Sequence, residues 1–417
     1  MKSLKKNSNK WSWDQLISLI ELHSCILLNG PEDNYILAWE IETELKFEQN
    51  TFDFDVLDKF ITANKGEYIF GYLTYDLKNK IEPQLKSLNE DFIKFPDAHF
   101  FVAKHVLIFK NNELNYYGDS SVNDIISLFD KSPNISNLKA SPAIELKPIT
   151  SKENYFKNFD LIKKEIQFGN IYEMNYCQNF VATNVSLNPV STYQKLFSET
   201  EAPFSCYLNL GNYFALCASP ERYLKRVGNK LLSQPIKGTS ARSVVTAQDE
   251  KLKKELRENP KEQCENVMIV DLVRNDLSKI ATKNSVQVKE LFGVHTFKTV
   301  HQLISSVSCE QKERTSFTDI IKATFPMGSM TGAPKISAMQ QSERFEDFKR
   351  GLYSGTIGYI EPNGNFDFNV VIRSILYNKK EKVVSCGVGG AITINAKAEQ
   401  EYNECLLKLA ALQKALC

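Results

Sequence analysis

The sequence predicts an α+β protein, built largely from antiparallel strands with helices packed outside them. Three observations carry that prediction. Short runs rich in aromatic and β-branched residues recur along the chain, as strands do. Helical periodicity is confined to a few separated stretches. The composition, 42% hydrophobic and 24% charged over 417 residues, is ordinary for a globular protein and supplies a sizeable core.

In chain order, residues 1–130 read as a mixed segment. YIFGYLTYDL (68–77) and HFFVAKHVLIFK (99–110) are strand candidates, and FDVLDKFITAN (54–64) is a short amphipathic helix. No catalytic signature stands out there. Residues 131–150, KSPNISNLKASPAIELKPIT, hold three prolines and several Ser and Asn, which is loop composition. They divide an N-terminal region, 1–140, from a second region, 150–417. A helix follows, with Thr150 and Glu153 in the spacing of a capping box. Tyr155, Phe159, Ile162 and Ile166 give it one apolar stripe, and Gly169 is a plausible stop. IYEMNYCQNFVATNV (171–185) reads as a strand, and short strands recur between 205 and 235. The charged stretch 248–264 reads as helix, VMIVDLV (267–273) as a continuous apolar run ending a strand. Strands return in YSGTIGYI, FNVVIRSILY and KVVSCGVGGAITI, and a helix covers 397–416.

Several classes of function are excluded. Lys and Arg number 51 against 50 Asp and Glu, so no general affinity for nucleic acid or membranes is expected. The start, MKSLKKNSNK, lacks the apolar run of a signal peptide. Nine scattered cysteines without a CxxC read as reduced thiols of a cytoplasmic protein.

Five constellations suit chemistry. Glu262 and Glu265, and again Glu401 and Glu404, stand three apart in helical stretches and so share a helix face. Four such carboxylates would suit a hard dication, although spacing alone favours solvated surface groups. Arg274, Asn275 and Asp276 follow the apolar run, as ligand groups at a strand end or as a turn with a structural ion pair. FPMGSMTGAPKISAM brackets a small polar loop with Gly328 and Gly332 and places Pro334 near a helix start, where backbone N–H groups bind anions; a plain turn is the alternative. Gly387, Gly389 and Gly390 mark either a backbone nest or a bulge. Lys237, in QPIKGTSAR, is either a turn residue or a lysine made nucleophilic by an apolar pocket. Arg222 and Arg373 are further charges in strand-like contexts.

The order of these segments is more specific than any one of them. SPERYLKR, PIKGTSAR, ENVMIVDLVRNDL, FPMGSMTGAPKISAM, YSGTIGYI, VIRSI, GVGGAIT and AEQEYNEC succeed one another over residues 218–405. This succession resembles the chorismate-utilising enzymes: the component I subunits of anthranilate and aminodeoxychorismate synthases, and the isochorismate and salicylate synthases. The resemblance implies two orthogonally packed antiparallel sheets in a sandwich, with helices outside and the site in a cleft. Residues 1–140 would complete the sandwich and 150–417 would bind chorismate. It also implies Mg²⁺ held by Glu262, Glu265, Glu401 and Glu404, with Glu265 and Glu404 as direct ligands. Tyr353, Arg373, Gly387 and Gly389 would hold the substrate's other carboxylate. Thr239, His301, Ser329 and Lys408 would line the pocket, and Glu221 would be the general acid.

Within that family, PIKGT at Lys237 resembles the aminating members that form 4-amino-4-deoxychorismate, the precursor of para-aminobenzoate and folate. There the lysine acts as a covalent nucleophile, in its uncharged form. Two departures stand out. Glu173 replaces a glutamine common in aminating members, and Ser240-Ala241 replaces Arg-Pro. No glutaminase signature is present, so ammonia is expected from a glutamine amidotransferase partner. ELHSCILL (21–28) only loosely resembles one edge of the tryptophan pocket of some members. The alternatives are an anthranilate synthase component I and a non-catalytic chorismate-binding regulator.

Overall fold

The computed structural model describes residues 23–29, 34–110, 113–121, 142–298 and 300–417, with scattered earlier positions (2, 3, 16, 20, 123–125 and 127). Positions 131–141 of the proline-rich boundary, and the Lys-rich start apart from residues 2 and 3, lie outside the described residues.

Seventeen strands longer than two residues are described. The first five are β1 (Cys25–Asn29), β2 (Tyr35–Phe47), β3 (Ile69–Leu73), β4 (Ala98–Lys110) and β5 (Glu113–Tyr117). Then come β6 (Glu173–Ala182), β7 (Phe204–Leu210), β8 (Tyr213–Ser219), β9 (Arg222–Val227), β10 (Lys230–Gln234) and β11 (Ile236–Ala241). The last six are β12 (Gln287–Thr296), β13 (Val300–Glu310), β14 (Thr356–Ile360), β15 (Phe366–Asn369), β16 (Ser374–Asn378) and β17 (Val383–Ile392). The helices of eight residues or more are α1 (Phe54–Ala63), α2 (Lys152–Gln167), α3 (Pro189–Thr200), α4 (Thr246–Glu258), α5 (Pro260–Ser278), α6 (Phe317–Thr324), α7 (Lys335–Phe345) and α8 (Ala398–Ala415).

All strand pairings are antiparallel and join one hydrogen-bonded network. Its middle is the pair β2–β4, thirteen residues each. From β2 the network runs through β1, β7, β8, β16 and β17 to β6. From β4 it runs through β3, β14, β15, β9 and β10 to β13, which also carries β11 and β12. Strands from the first 120 residues therefore sit between two wings made by later ones. Strand side chains alternate between faces. In β1, Ile26 and Leu28 enter one apolar core, Cys25 and Leu27 a second.

Three local expectations change. The cap of α2 is Ser151, whose side chain accepts from the Asn154 N–H, while the Thr150 hydroxyl donates to Asp347. The apolar stripe is as expected, with Tyr155, Phe159 and Ile162 buried, and Gly169 follows at φ +79°. The charged stretch 248–264 is two helices, because Asn259-Pro260 breaks it. Asn259 caps α5 by accepting from the Lys261 and Glu262 N–H groups, with Pro260 at the first turn. VMIVDLV is no strand: it lies inside α5. Ile269, Val270, Val273 and Leu277 are buried at helical spacing, whereas Val267 is exposed. Its β-branched composition hid that stripe.

This change reassigns the charged trio after the run. Arg274 is exposed and pairs with Asp271, three residues back on the same helix. Asp276 is buried and pairs with Lys335 at the start of α7 and with Lys279. Asp276 therefore ties α5 to the start of α7. Arg222 is likewise structural, with Nε and Nη2 donating to Asp367 at 2.9 and 3.0 Å.

Candidate active site

Four segments from distant parts of the sequence bring the central side chains together. Glu173 opens β6, Glu221 occupies the turn between β8 and β9, Lys237 lies on β11, and Glu265 projects from α5. All four are buried. Lys237 Nζ donates to Glu173 Oε1 at 2.8 Å. The other Glu173 oxygen is buried without a partner. Next to Lys237, Gly238 takes φ +94°, and a Cβ there would stand 2.8 Å from Glu262 Oε2 and 3.3 Å from the Glu262 Cβ. Strand β11 and α5 thus meet over glycine.

The electrostatics correct one expectation. The surroundings of Lys237 are acidic, not apolar. Burial alone would push its ammonium down, but Glu173, Glu265 and Glu221 override this and hold it above lysine's usual range. The resting side chain is an ion-paired ammonium. Burial pushes Glu221 up to about 7, against the opposing pull of Ser329 and of Lys237. It is therefore about half protonated at neutral pH, which leaves a proton available to a departing group. The Ser329 hydroxyl stands beside Glu221, without a settled hydrogen bond of its own.

The four glutamates proposed for a cation do face one another across α5 and α8, but a lysine stands among them. Lys261 Nζ lies 2.9 Å from Glu401 Oε1 and 3.7 Å from Glu265 Oε1. Glu404 is paired with Lys408 at 2.8 Å. Among the described residues no three acidic, His or Cys side chains are grouped closely enough to hold a metal as they stand. Two observations nevertheless fit a dication. Glu265 Oε1 is buried with no hydrogen bond. Burial first, with mutual repulsion among these glutamates contributing, pushes Glu262, Glu265 and Glu401 up, Glu265 to about 7. An all-carboxylate set short of positive charge suits a hard ion, provided Lys261 yields its place.

The remaining expected residues fall into three groups. The half-buried Arg373 guanidinium has no hydrogen bond or ion pair among the described residues; its backbone takes φ +50°. Burial pushes it below the usual arginine range, and Glu404 is the charge that opposes this. Lys408 reaches from α8 to the Gly389 carbonyl at 2.7 Å. The Tyr353 ring packs against Gly387, where a Cβ would meet it at 2.3 Å, and its hydroxyl faces Cys177 Sγ at 3.8 Å. Thr239 and His301 stand apart. Thr239 is exposed. His301 is fully buried, with Nε2 bonded to Asp249 at 2.9 Å and Nδ1 to Thr296 Oγ1 at 3.0 Å. Both ring nitrogens are thereby engaged within the protein.

Sequence reasoning missed Lys261, and it left Glu173 without a role. The neighbouring glutamates were a signal for the first, since a lysine beside two acidic positions in one helix reaches the same seam. Asp249, which anchors both His301 and Arg242, carried no signal at all.

A family model described as chorismate binding enzyme matches residues 23–414, and the chain belongs to that family. Among curated relatives, it is 35% identical over 397 residues to the chloroplastic aminodeoxychorismate synthase of Arabidopsis thaliana, covering 89% of this chain and 42% of the relative. It is 31% identical over 361 residues to aminodeoxychorismate synthase component 1 of Bacillus subtilis, covering 83% and 76%. The chain spans about half the length of the plant relatives it matches. Among solved structures, anthranilate synthase component I from Streptococcus pneumoniae superposes with a TM-score of 0.81 at 26% identity, covering 92% of each chain. No helix among the described residues is long and apolar enough to cross a membrane.

Proposed function

We propose that this chain aminates chorismate to 4-amino-4-deoxychorismate through a covalent intermediate on Lys237, taking ammonia from a glutamine amidotransferase partner. The observation that carries the reading is the buried Lys237 flanked by a carboxylate, Glu173, and a carboxyl that keeps its proton near neutrality, Glu221. The unprotonated Lys237 amine forms a bond to C2 of the ring, both ring double bonds shift by one position, and the 4-hydroxyl departs as water with a proton from Glu221. Ammonia then forms the C4–N bond, both double bonds return, and the C2–N bond to Lys237 breaks. Two allylic displacements replace one difficult step.

Glu262, Glu265, Glu401 and Glu404 would hold Mg²⁺, with Glu265 and Glu404 nearest, and Lys261 moving aside. When bound, the ion supplies positive charge for the ring carboxylate. Arg373, unpaired and half-buried, is suited to the second carboxylate, beside Tyr353 and the Gly387–Gly389 backbone. Ser329 and Lys408 complete the pocket wall, with Thr239 and His301 at its margin. The reading also implies a sandwich of two orthogonal sheets. Support comes from the long shared strands β2 and β4, bulged between Ile41 and Thr43, and from the different apolar cores that the two faces of β1 enter.

The test is incubation with chorismate, Mg²⁺ and ammonium, followed by mass spectrometry of the products. The amino product is expected. Anthranilate with pyruvate would favour the second reading, an anthranilate synthase, which the likeness to the Streptococcus pneumoniae structure keeps in view. Chorismate binding without turnover, even with a glutaminase present, would favour a regulator.

A further inference from the structure

The aminating reading leaves one proton unaccounted for. A lysine ammonium has no lone pair, so Lys237 must lose a proton before it forms a bond to carbon. Its side chain is only 10% exposed, so the protein groups that face it are the nearest proton acceptors. Three carboxyl groups surround it, and two have other employment. Glu221 must keep its proton for the departing hydroxyl. Glu265 lies beside the Lys261 ammonium, in the seam between α5 and α8. His301 is committed to Asp249 and Thr296. Among the described residues Nζ donates to a single acceptor, Glu173 Oε1, at 2.8 Å. Glu173 is itself fully buried, and its Oε2 accepts no hydrogen bond. An oxygen left unsatisfied in the interior is costly unless the site uses it.

We propose that Glu173 is the catalytic base that takes the proton from Lys237 and later returns it, an assignment that rests on the aminating reading. The balance is simple. The Nζ–H bond breaks, its electron pair stays on nitrogen, and the proton bonds to a Glu173 oxygen. The neutral amine forms the C2–N bond as water leaves C4. When ammonia has bonded to C4 and the C2–N bond breaks, the amine departs neutral, and the Glu173 proton restores the ammonium. The pair ends as it began, and the proton lost by the new C4 ammonium as it becomes the amine replaces the one Glu221 gave to the departing hydroxyl, so no external acid or base is consumed.

The experiment follows the adduct, not the final product. The full chain is mixed with chorismate and Mg²⁺ without ammonium, quenched at intervals, and its intact mass is recorded. Chorismate binding is measured separately by equilibrium dialysis. Glu173→Gln keeps the shape and removes the base. Adduct formation should slow by about 100-fold or more, the usual scale of a lost general base, while chorismate affinity changes by less than about threefold. Glu173→Asp keeps a carboxylate one methylene further back and should recover part of the rate; it also carries the test if the glutamine variant does not fold. Adduct formation by Glu173→Gln at the wild-type rate or faster would overturn the assignment, since Glu173 would then only pin the ammonium. Parallel loss of chorismate binding would also overturn it, making Glu173 a scaffold residue. Wild-type protein yielding neither adduct nor amino product would sink the aminating reading itself, and the base with it.

Discussion

Strand β6 borders two buried carboxylate–cation pairs, and they are finished to very different degrees. At Arg350 every nitrogen is used. Nε donates to Glu346 Oε2 at 2.8 Å, Nη1 to the Met330 carbonyl at 2.7 Å, and Nη2 to Glu346 Oε1 at 2.6 Å and the Asn175 carbonyl at 3.0 Å. Glu346 Oε1 also accepts the Cys177 N–H at 3.0 Å. At Lys237, among the described residues, the ammonium makes one hydrogen bond, and Glu173 Oε2 and Glu265 Oε1 make none. An unsatisfied buried group costs about 1–3 kcal/mol. The fold bears that cost at the Lys237–Glu173 pair and avoids it at the Arg350–Glu346 pair. The satisfied pair holds β6, the 328–330 turn and the 346–354 loop together. The unsatisfied one lies in the candidate active site.

That contrast can be broken by substitution. The largest expected effect on stability is at the finished pair. Arg350→Ala strands a buried Glu346 and should cost about 3–5 kcal/mol, read as a lower urea midpoint. A change below about 1 kcal/mol would erase the distinction between the two pairs. Glu221→Gln should leave the urea midpoint nearly unchanged but slow amination by about 100-fold or more, because the proton donor is gone.

The sign of the pH response follows from the same carboxyl. In the proposed reaction Glu221 works in its protonated form, so the wild-type kcat/KM should fall as pH rises through about 7, and the fall should be absent from Glu221→Gln. Because its folded value is raised, its contribution to stability is complete below the ordinary carboxylate range and is lost as pH climbs towards that same point. A rate that rises through neutrality would contradict Glu221 as the acid.

The smallest expected effect is thermal. Mg²⁺ at about 100 times its Kd should stabilise the protein by about 2.7 kcal/mol, seen in differential scanning calorimetry without substrate. Glu265→Gln should abolish most of that shift. Lys261→Gln should enlarge it at a given Mg²⁺ concentration, because a competing cation has been removed from between Glu265 and Glu401. Equal shifts in all three proteins would place the ion elsewhere.

The antiparallel strands and the glutamate helices were legible in the sequence because period and spacing report them directly. The helix over VMIVDLV was not, since its apolar residues are contiguous and β-branched, and only burial on one side separates helix from strand there. The α2 cap moved by a single residue, from Thr150 to Ser151, because both side chains are able to accept and tertiary contact with Asp347 decided between them. The charge state of Lys237 was misjudged for a deeper reason. Its acidic neighbours, Glu173 and Glu265, lie 64 and 28 positions away, and the strand pairings and helix packing that bring them together cannot be read from local composition.

The central claim is that the Lys237 nitrogen bonds to the substrate ring. It is tested most directly by incubating the protein with chorismate and Mg²⁺ without ammonium, then locating any added mass by peptide mapping. The account predicts an adduct on the peptide containing Lys237, discharged as amino product when ammonium is added, and no adduct in Lys237→Ala. Steady amination by Lys237→Ala at the wild-type rate would contradict it.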